Sequence, residues 1–83
     1  MNKLMDKLFG AKGAIITAAM GDRVISTTCF VKPMVCEFDD YFEVADDNGN
    51  EILFEKDFIE TMVDDDGDFV VKYGVVDYYI TLV

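Results

Sequence analysis

Histidine and tryptophan are absent from this chain of 83 residues, and it contains only one proline and two cysteines. Without histidine, neither cysteine has the base that usually activates a thiol nucleophile, and no G-x-S-x-G sequence marks a nucleophilic serine. No G-x-G-x-x-G or G-x-x-x-x-G-K loop is present to hold nucleotide phosphates. We therefore predict that the protein is not an enzyme and that it binds no cofactor.

The cysteine pattern argues against a metal site. Cys29 and Cys36 lie seven positions apart, whereas structural metal sites need three or four ligands in closely spaced pairs. We predict two free, buried thiols, the usual state of cysteine in a cytoplasmic protein. No apolar run approaches the roughly 18 residues of a membrane-spanning helix, so we predict no membrane association.

Basic residues are scarce in the second half of the chain. Residues 37–83 contain two basic and fifteen acidic residues, a net charge of −13, whereas residues 1–36 carry +3 and the whole chain −10. Such a charge repels nucleic acid and anionic lipid, and it attracts basic protein surfaces. We therefore expect a basic protein as the partner and no direct binding of nucleic acid.

Length and composition predict a single domain over residues 1–83. The chain is 52% apolar, which suffices for one compact core and not for two. The opening NKLMDKLFG has the period of a short amphipathic helix, predicted within residues 1–12. Residues 13–83 predict an antiparallel sheet, because runs of β-branched and aromatic residues alternate with Gly, Asn and Asp turns.

Turn-forming and strand-ending residues mark the limits of the first two strands of this sheet. GAIITAAM and RVISTTCFV are separated by Gly21-Asp22, which indicates a hairpin. Pro33 ends the second run, because proline cannot donate a ladder hydrogen bond. The next segment, MVCEFDD, is compatible with a continued strand or with a loop.

Side-chain alternation predicts the register of the hairpin in YFEVADDNGNEILFE. A two-residue Asn48-Gly49 turn would mix apolar and acidic side chains on each face. A three-residue loop over residues 47–49, with Gly49 in the left-handed conformation, gives one consistent core face. The pairs expected from that loop are Val44–Ile52 and Phe42–Phe54.

The segment VDDDGDF predicts a second hairpin with a three-residue loop, Asp65-Asp66-Gly67. Aspartates favour turns because their short side chains accept hydrogen bonds from nearby backbone N–H groups, and Gly67 supplies the positive φ. The pairs expected are Val63–Phe69, Thr61–Val71, Ile59–Tyr73 and Glu60–Lys72, the last as an ion pair. The final run, VVDYYITLV, is apolar on both faces and is predicted to lie between two neighbouring strands.

These elements predict a mainly β (α+β) fold. The short N-terminal helix is followed by a five- or six-stranded antiparallel sheet that is strongly bent, or by a small, partly open SH3-like or Sm-like barrel. In such a barrel Tyr41, Tyr73 and Tyr79 either line a ligand groove or cap the edge of the core.

Calcium binding is one alternative for the acidic turns. With Gly49 at the sixth position of an EF-hand loop, Val44 falls at the first position and Glu51 at the eighth, where an oxygen ligand and an apolar residue are needed. With Gly67 at that position the fit is worse. A specific metal site is therefore not predicted, and a domain that responds weakly to divalent cations stays open as an alternative function.

The leading hypothesis is a non-enzymatic protein-binding module whose acidic face, in two or three lobes at turns, engages a basic protein surface. One form of this function is a nucleic-acid mimic that inhibits a DNA- or RNA-processing protein, as several small acidic phage proteins do against host defence systems. A further alternative is a small structural protein that forms homo-oligomers through its sheet edges. The partner-binding residues predicted are Asp39, Asp40, Asp46, Asp47, Asp64, Asp65, Asp66 and Asp68.

Overall fold

The residues that the structure describes form eight β-strands. The computed structural model describes residues 6–8, 10–65 and 68–83, and for residues 61–65 and 68 the backbone alone. Helical backbone at residues 6–8 and 10 precedes the first strand, and a 3₁₀ helix, Lys56–Phe58, joins the fifth strand to the sixth. The strands are β1 (Gly13–Met20), β2 (Arg23–Val31), β3 (Met34–Glu37), β4 (Tyr41–Ala45), β5 (Glu51–Glu55), β6 (Ile59–Asp65), β7 (Asp68–Tyr73) and β8 (Val76–Leu82).

The strands form two antiparallel sheets. The larger has the order β2-β1-β8-β7-β6 and the smaller the order β3-β4-β5, and within the described residues they do not close into a barrel. The predicted mainly β, antiparallel fold is confirmed. The strand number differs from five or six, because MVCE forms a separate strand after Pro33 and the 3₁₀ helix separates β5 from β6.

The predicted β1–β2 hairpin is confirmed. Met20 pairs with Arg23 across the Gly21-Asp22 turn, and Gly21 has a φ of 58° that a side chain would strain. Alternate residues of β1 point into the core, and Ala14 and Ile16 are buried. The last strand, β8, lies between β1 and β7 as predicted. No helix of the described residues is long and apolar enough to cross a membrane.

The β4–β5 hairpin has the predicted register. Val44 pairs with Ile52 and Phe42 with Phe54, and Gly49 has a φ of 88°. Val44, Phe42 and Phe54 are fully buried. The alternation of apolar and acidic residues therefore decided this register, because only one pairing buries the three large side chains together.

The β6–β7 register was predicted wrongly beyond its first pair. Ile59 pairs with Tyr73 as expected, but an irregularity between Ile59 and Thr61 shifts the rest, so that Thr61 pairs with Lys72. Glu60 is the extra residue of this bulge and does not lie opposite Lys72, so the predicted ion pair is absent. The shifted pairs are Met62–Val71, Val63–Val70, Asp64–Phe69 and Asp65–Asp68.

The core lies between the two sheets and under the N-terminal helical turn. It contains side chains from both sheets and from the helical turn, namely Leu8, Ala14, Ile16, Phe30, Phe42, Val44, Phe54, Phe69, Val71 and Ile80. The ring of Phe54 connects the sheets: its centroid lies 5.0 Å from that of Phe42 in the small sheet and 4.9 Å from that of Tyr78 in the large one. Aromatic pairs at these distances add to the stabilisation from burial alone.

Replacing this ring should destabilise the fold more than replacing its neighbour. Phe54→Ala removes the contacts that this ring makes with both sheets and leaves a cavity, so we expect a loss of about 3–5 kcal/mol in the free energy of unfolding. Leu53→Ala, on the opposite face with 44% of the residue exposed, should cost about 1 kcal/mol or less. Urea unfolding of both variants measures the difference, and equal losses would show that Phe54 does not anchor the core.

Candidate functional site

Two of the predicted partner-binding residues form the turn between β3 and β4. The backbone N–H of Phe38 donates to the carbonyl of Tyr41 at 2.8 Å and closes the chain around Asp39 and Asp40. Both aspartates are exposed. The rings of Phe38 and Tyr41 stack with centroids 4.7 Å apart and an interplanar angle of 25°, so a stacked aromatic pair flanks the two aspartates in the chain.

The second predicted pair lies at the other end of β4. Asp47 is exposed in the β4–β5 turn, and Asp46 beside it is buried. Because a strand rises about 3.3 Å per residue, Asp40 and Asp46 are about 20 Å apart along the chain direction. The two pairs therefore form separate acidic regions rather than one continuous surface.

The remaining predicted residues belong to the β6–β7 hairpin. Asp64 pairs with Phe69 and Asp65 with Asp68 in the backbone ladder, while Asp66 and the side chains of the other three lie outside the described part of the structure. Asp68 also pairs with Thr81, so the start of β7 lies beside the end of β8.

Asp46 is a structural residue rather than part of an exposed face. Only 7% of it is exposed, and its carboxylate accepts four hydrogen bonds. Oδ1 accepts from the backbone N–H groups of Asn48 at 3.0 Å and Asn50 at 2.9 Å, and Oδ2 accepts from the Val31 N–H at 3.0 Å and from Asn50 Nδ2 at 2.9 Å. These bonds fix the turn and connect it to β2.

The same turn covers part of the free edge of β2. Asn50 Nδ2 donates to the carbonyl of Cys29 at 3.0 Å, and Asp46 accepts from the next outward N–H, that of Val31. Two side chains thus take the hydrogen-bonding positions that a neighbouring strand would occupy. The small sheet is attached to the large one through this contact.

The four hydrogen bonds also lower the pKa of Asp46 and occupy the oxygen lone pairs that a metal ion would need. The side-chain amide of Asn50 holds the pKa of the Asp46 carboxyl below its usual value, the backbone N–H groups act in the same direction, and burial opposes them. A carboxylate has about four lone-pair positions, and all are used by the chain itself. Within the described residues no group of three or more Cys, Asp or Glu side chains is placed to hold a metal ion.

A cavity of about 340 Å³ opens beside the other acidic turn. Its walls combine three acidic residues with two aromatic ones: Asp40, Tyr41, Glu55, Asp57 and Phe58. These residues come from the β3–β4 turn, the end of β5 and the 3₁₀ helix. Of these residues only Asp40 and Tyr41 are candidates from the sequence, because the segment EKDF, which supplies the rest, carries no recognisable motif.

Lys56 holds the two sides of this cavity together. Its backbone N–H donates to the carbonyl of Asp40 at 2.8 Å, and its Nζ lies 2.7 Å from Glu37 Oε2. The ammonium group therefore neutralises Glu37 and not the cavity wall. No salt bridge joins Asp40, Glu55 or Asp57 to a basic group of the described residues.

Aromatic contacts fix the other wall. The Glu55 backbone N–H donates to Tyr73 Oη at 3.1 Å, and the ring of Tyr73 lies edge-on to Phe58 with centroids 5.9 Å apart. The Gly74 N–H donates to the carbonyl of Phe58 at 3.2 Å. Phe58 nevertheless remains 56% exposed, so the chain holds a large apolar ring at the surface beside carboxylates.

The cysteines are free as predicted, but they are not buried. Both Cys29 and Cys36 are exposed. Cys29 lies opposite Ile15 on the outer face of the large sheet, and Cys36 lies opposite Glu43 in the small sheet. The apolar character of their sequence neighbours does not reveal these outward positions.

The hydrogen bonds of Asp46 predict a pH-dependent stability. Because the folded-state pKa lies below the unfolded value of about 3.9, ionised Asp46 stabilises the fold above about pH 4, and this contribution is lost as the pH falls through the folded pKa. Asp46→Asn should therefore be less stable than the unchanged protein at pH 7, and the difference should shrink toward pH 3.

Denaturant unfolding at several pH values measures this effect. Asp47→Asn is the matched control, because it makes the same change at an exposed neighbour and should leave stability nearly unchanged. A destabilisation by Asp46→Asn that is equal at pH 7 and pH 3 would contradict the role of the ionised carboxylate.

Comparison of the chain with protein-family models, with curated proteins and with solved structures finds no match. Function is therefore inferred from the exposed carboxylates, the cavity and the free strand edge.

Proposed function

We propose that this protein is a non-enzymatic binding module whose exposed carboxylates engage a basic surface of another protein. The observation that supports it is the negative charge that salt bridges between described residues do not neutralise. The chain carries −10, yet Lys56 with Glu37 is the one salt bridge between described side chains. Besides Glu37, which is paired with Lys56, the exposed acidic residues around the small sheet are Asp39, Asp40, Asp47, Glu51, Glu55 and Asp57.

Uncompensated charge has a cost that favours a binding role. Self-repulsion among like charges destabilises a compact chain, and pairing these carboxylates with lysine or arginine of the same chain would have relieved it. A basic partner gains from the same field, which steers its approach and weakens as salt rises. The backbone of Asp39 and Asp40 is already held in a turn by the hydrogen bond from Phe38 to Tyr41, so the partner does not have to order it on binding.

The partner proposed is a nucleic-acid-binding protein, inhibited through its cationic groove. Such grooves are built to accept a fixed array of negative charge, and exposed carboxylates on a stable sheet offer one. The proposal places the protein in the cytoplasm, where its two free thiols stay reduced. The expected likeness to a partly open SH3-like or Sm-like barrel stays a prediction.

Charge reversal tests this proposal. Asp39→Lys with Asp40→Lys replaces two exposed carboxylates at a turn, so we expect the partner recovered by pull-down at low salt to be lost while the fold persists. Asp6→Lys with Asp22→Lys makes the same change in net charge at two exposed positions outside this set and should retain more of the partner. Added duplex nucleic acid should release the partner from the unchanged protein.

The same experiment can reject the proposal. If both double variants recover the partner as well as the unchanged protein does, or if nucleic acid does not compete, the carboxylates are not the contact and mimicry is wrong. Circular dichroism of each variant establishes that a lost partner does not reflect a lost fold.

A second candidate function, assembly through a sheet edge, is favoured by the free half of β2. Residues 24–31 contain no charge, and Val24, Ile25 and Val31 are 61%, 52% and 53% exposed. The Asp46–Asn50 turn satisfies the edge only at Cys29 and Val31. Because outward-pointing backbone groups alternate along a strand, those of Thr27 are left for another strand.

A proline at this edge tests assembly. Thr27→Pro removes the outward N–H without disturbing the ladder to β1, so an edge-to-edge oligomer should become a monomer in light scattering. Thr27→Val keeps the N–H and should keep the oligomer. A monomer for the unchanged protein at its highest soluble concentration would eliminate this function.

A further inference from the structure

The geometry points to the cavity between the β3–β4 turn and the 3₁₀ helix as a binding site for an arginine side chain of the partner protein. This inference rests on the proposed function, because it names the group of the basic partner that the site recognises. The cavity volume of about 340 Å³ lies near the lower end of the roughly 300–1,000 Å³ typical of ligand pockets, which suits one long side chain.

The lining selects a cation. Three acidic residues, Asp40, Glu55 and Asp57, line the cavity and form no salt bridge with a basic group of the described residues, since the nearby Lys56 is paired with Glu37. An anion such as a phosphate would be repelled. A concave site also concentrates the field of its wall charges more strongly than a flat surface does.

The aromatic walls select an organic cation over a metal ion. Tyr41 and Phe58 line the same cavity, and ring faces attract a guanidinium or an ammonium group. Metal ions instead need several oxygen ligands within about 2.0–2.6 Å of one point, and no such group of side chains exists among the described residues.

Guanidinium matches this site better than a lysine ammonium does. It is planar, stacks on aromatic rings and presents five N–H donors in several directions. The three acidic residues come from two separate segments of the chain, residue 40 and residues 55–57, so a cation with spread donors reaches more of them than a compact one. Hydrogen bonds from guanidinium to carboxylate are also among the stronger polar contacts in proteins.

The site is already assembled without its ligand. Two hydrogen bonds hold the walls in place. The Lys56 N–H donates to the Asp40 carbonyl at 2.8 Å, and the Glu55 N–H donates to the Tyr73 hydroxyl at 3.1 Å. The Phe38 ring stacks behind Tyr41, and Tyr73 supports Phe58 from its edge. The ligand therefore does not have to order these segments when it binds, which favours affinity.

The test uses the purified protein and a small probe, so that it does not depend on the partner. Nuclear magnetic resonance titration with N-acetyl-arginine amide at constant ionic strength should shift signals of residues 40, 41 and 55–58 in a saturable way. The citrulline analogue, which has nearly the same shape without the charge, should not bind. The lysine analogue should bind at least about threefold more weakly.

Matched variants locate the site. Asp57→Asn and Phe58→Leu each remove one recognition element at nearly constant volume and should weaken the arginine probe by about fivefold. Asp22→Asn and Tyr79→Leu make comparable changes at exposed positions outside the cavity and should not weaken it.

Three results would overturn the inference: non-saturable shifts spread over all acidic residues, equal binding of the lysine and arginine probes, or equal effects of cavity and control variants. Failure of the proposed function is separate. If the arginine probe binds saturably but charge reversal loses no partner, the cavity site stands and the basic partner protein is rejected. If charge reversal loses a partner but the probe does not bind, the partner stands and the cavity site is rejected.

Discussion

The attachment of the small sheet depends on one buried carboxylate. A strand at the edge of a sheet presents backbone N–H and C=O groups that must find partners. Asp46 and Asn50 provide these partners for Val31 and Cys29 with their side chains, at 3.0 Å in each case. A short polar turn thereby replaces a ninth strand. The apolar faces of the two sheets then meet around Phe54 without a continuous ladder between them.

Because of this attachment, neighbouring acidic residues have different roles. Asp46 uses all of its acceptor positions inside the protein, whereas Asp47, one residue later, is exposed. The hairpin that the buried carboxylate anchors extends away from β2 and carries the Asp39-Asp40 turn at its far end. The carboxylate that the fold needs thus lies at one end of β4 beside the exposed Asp47, and the exposed Asp39 and Asp40 lie at the other end.

The sequence predicted the parts of the fold that binary patterning decides. The bounds of β1 and β2 and the pairing of Phe42 with Phe54 follow from apolar alternation and glycine turns. The β6–β7 pairing did not, because a bulge at Glu60 changes the register by one residue and nothing in IETMV marks it. The burial of Asp46 was missed as well, since an acidic turn residue looks the same in sequence whether it is solvated or takes hydrogen bonds from a distant strand.

The cavity could not be predicted because its charge is assembled across the fold. Asp40, Glu55 and Asp57 are ordinary exposed acids in sequence, and Phe58 resembles a core residue at the end of a strand. They become a site only when the backbone of Lys56 binds that of Asp40, while its ammonium group is directed to Glu37. The backbone of Lys56 therefore joins the two sides of the cavity, while its side chain forms no salt bridge with the acidic residues that line the cavity. Because no basic group of the described residues forms a salt bridge with these three acids, the proposed basic partner would supply the missing positive charge at this cavity.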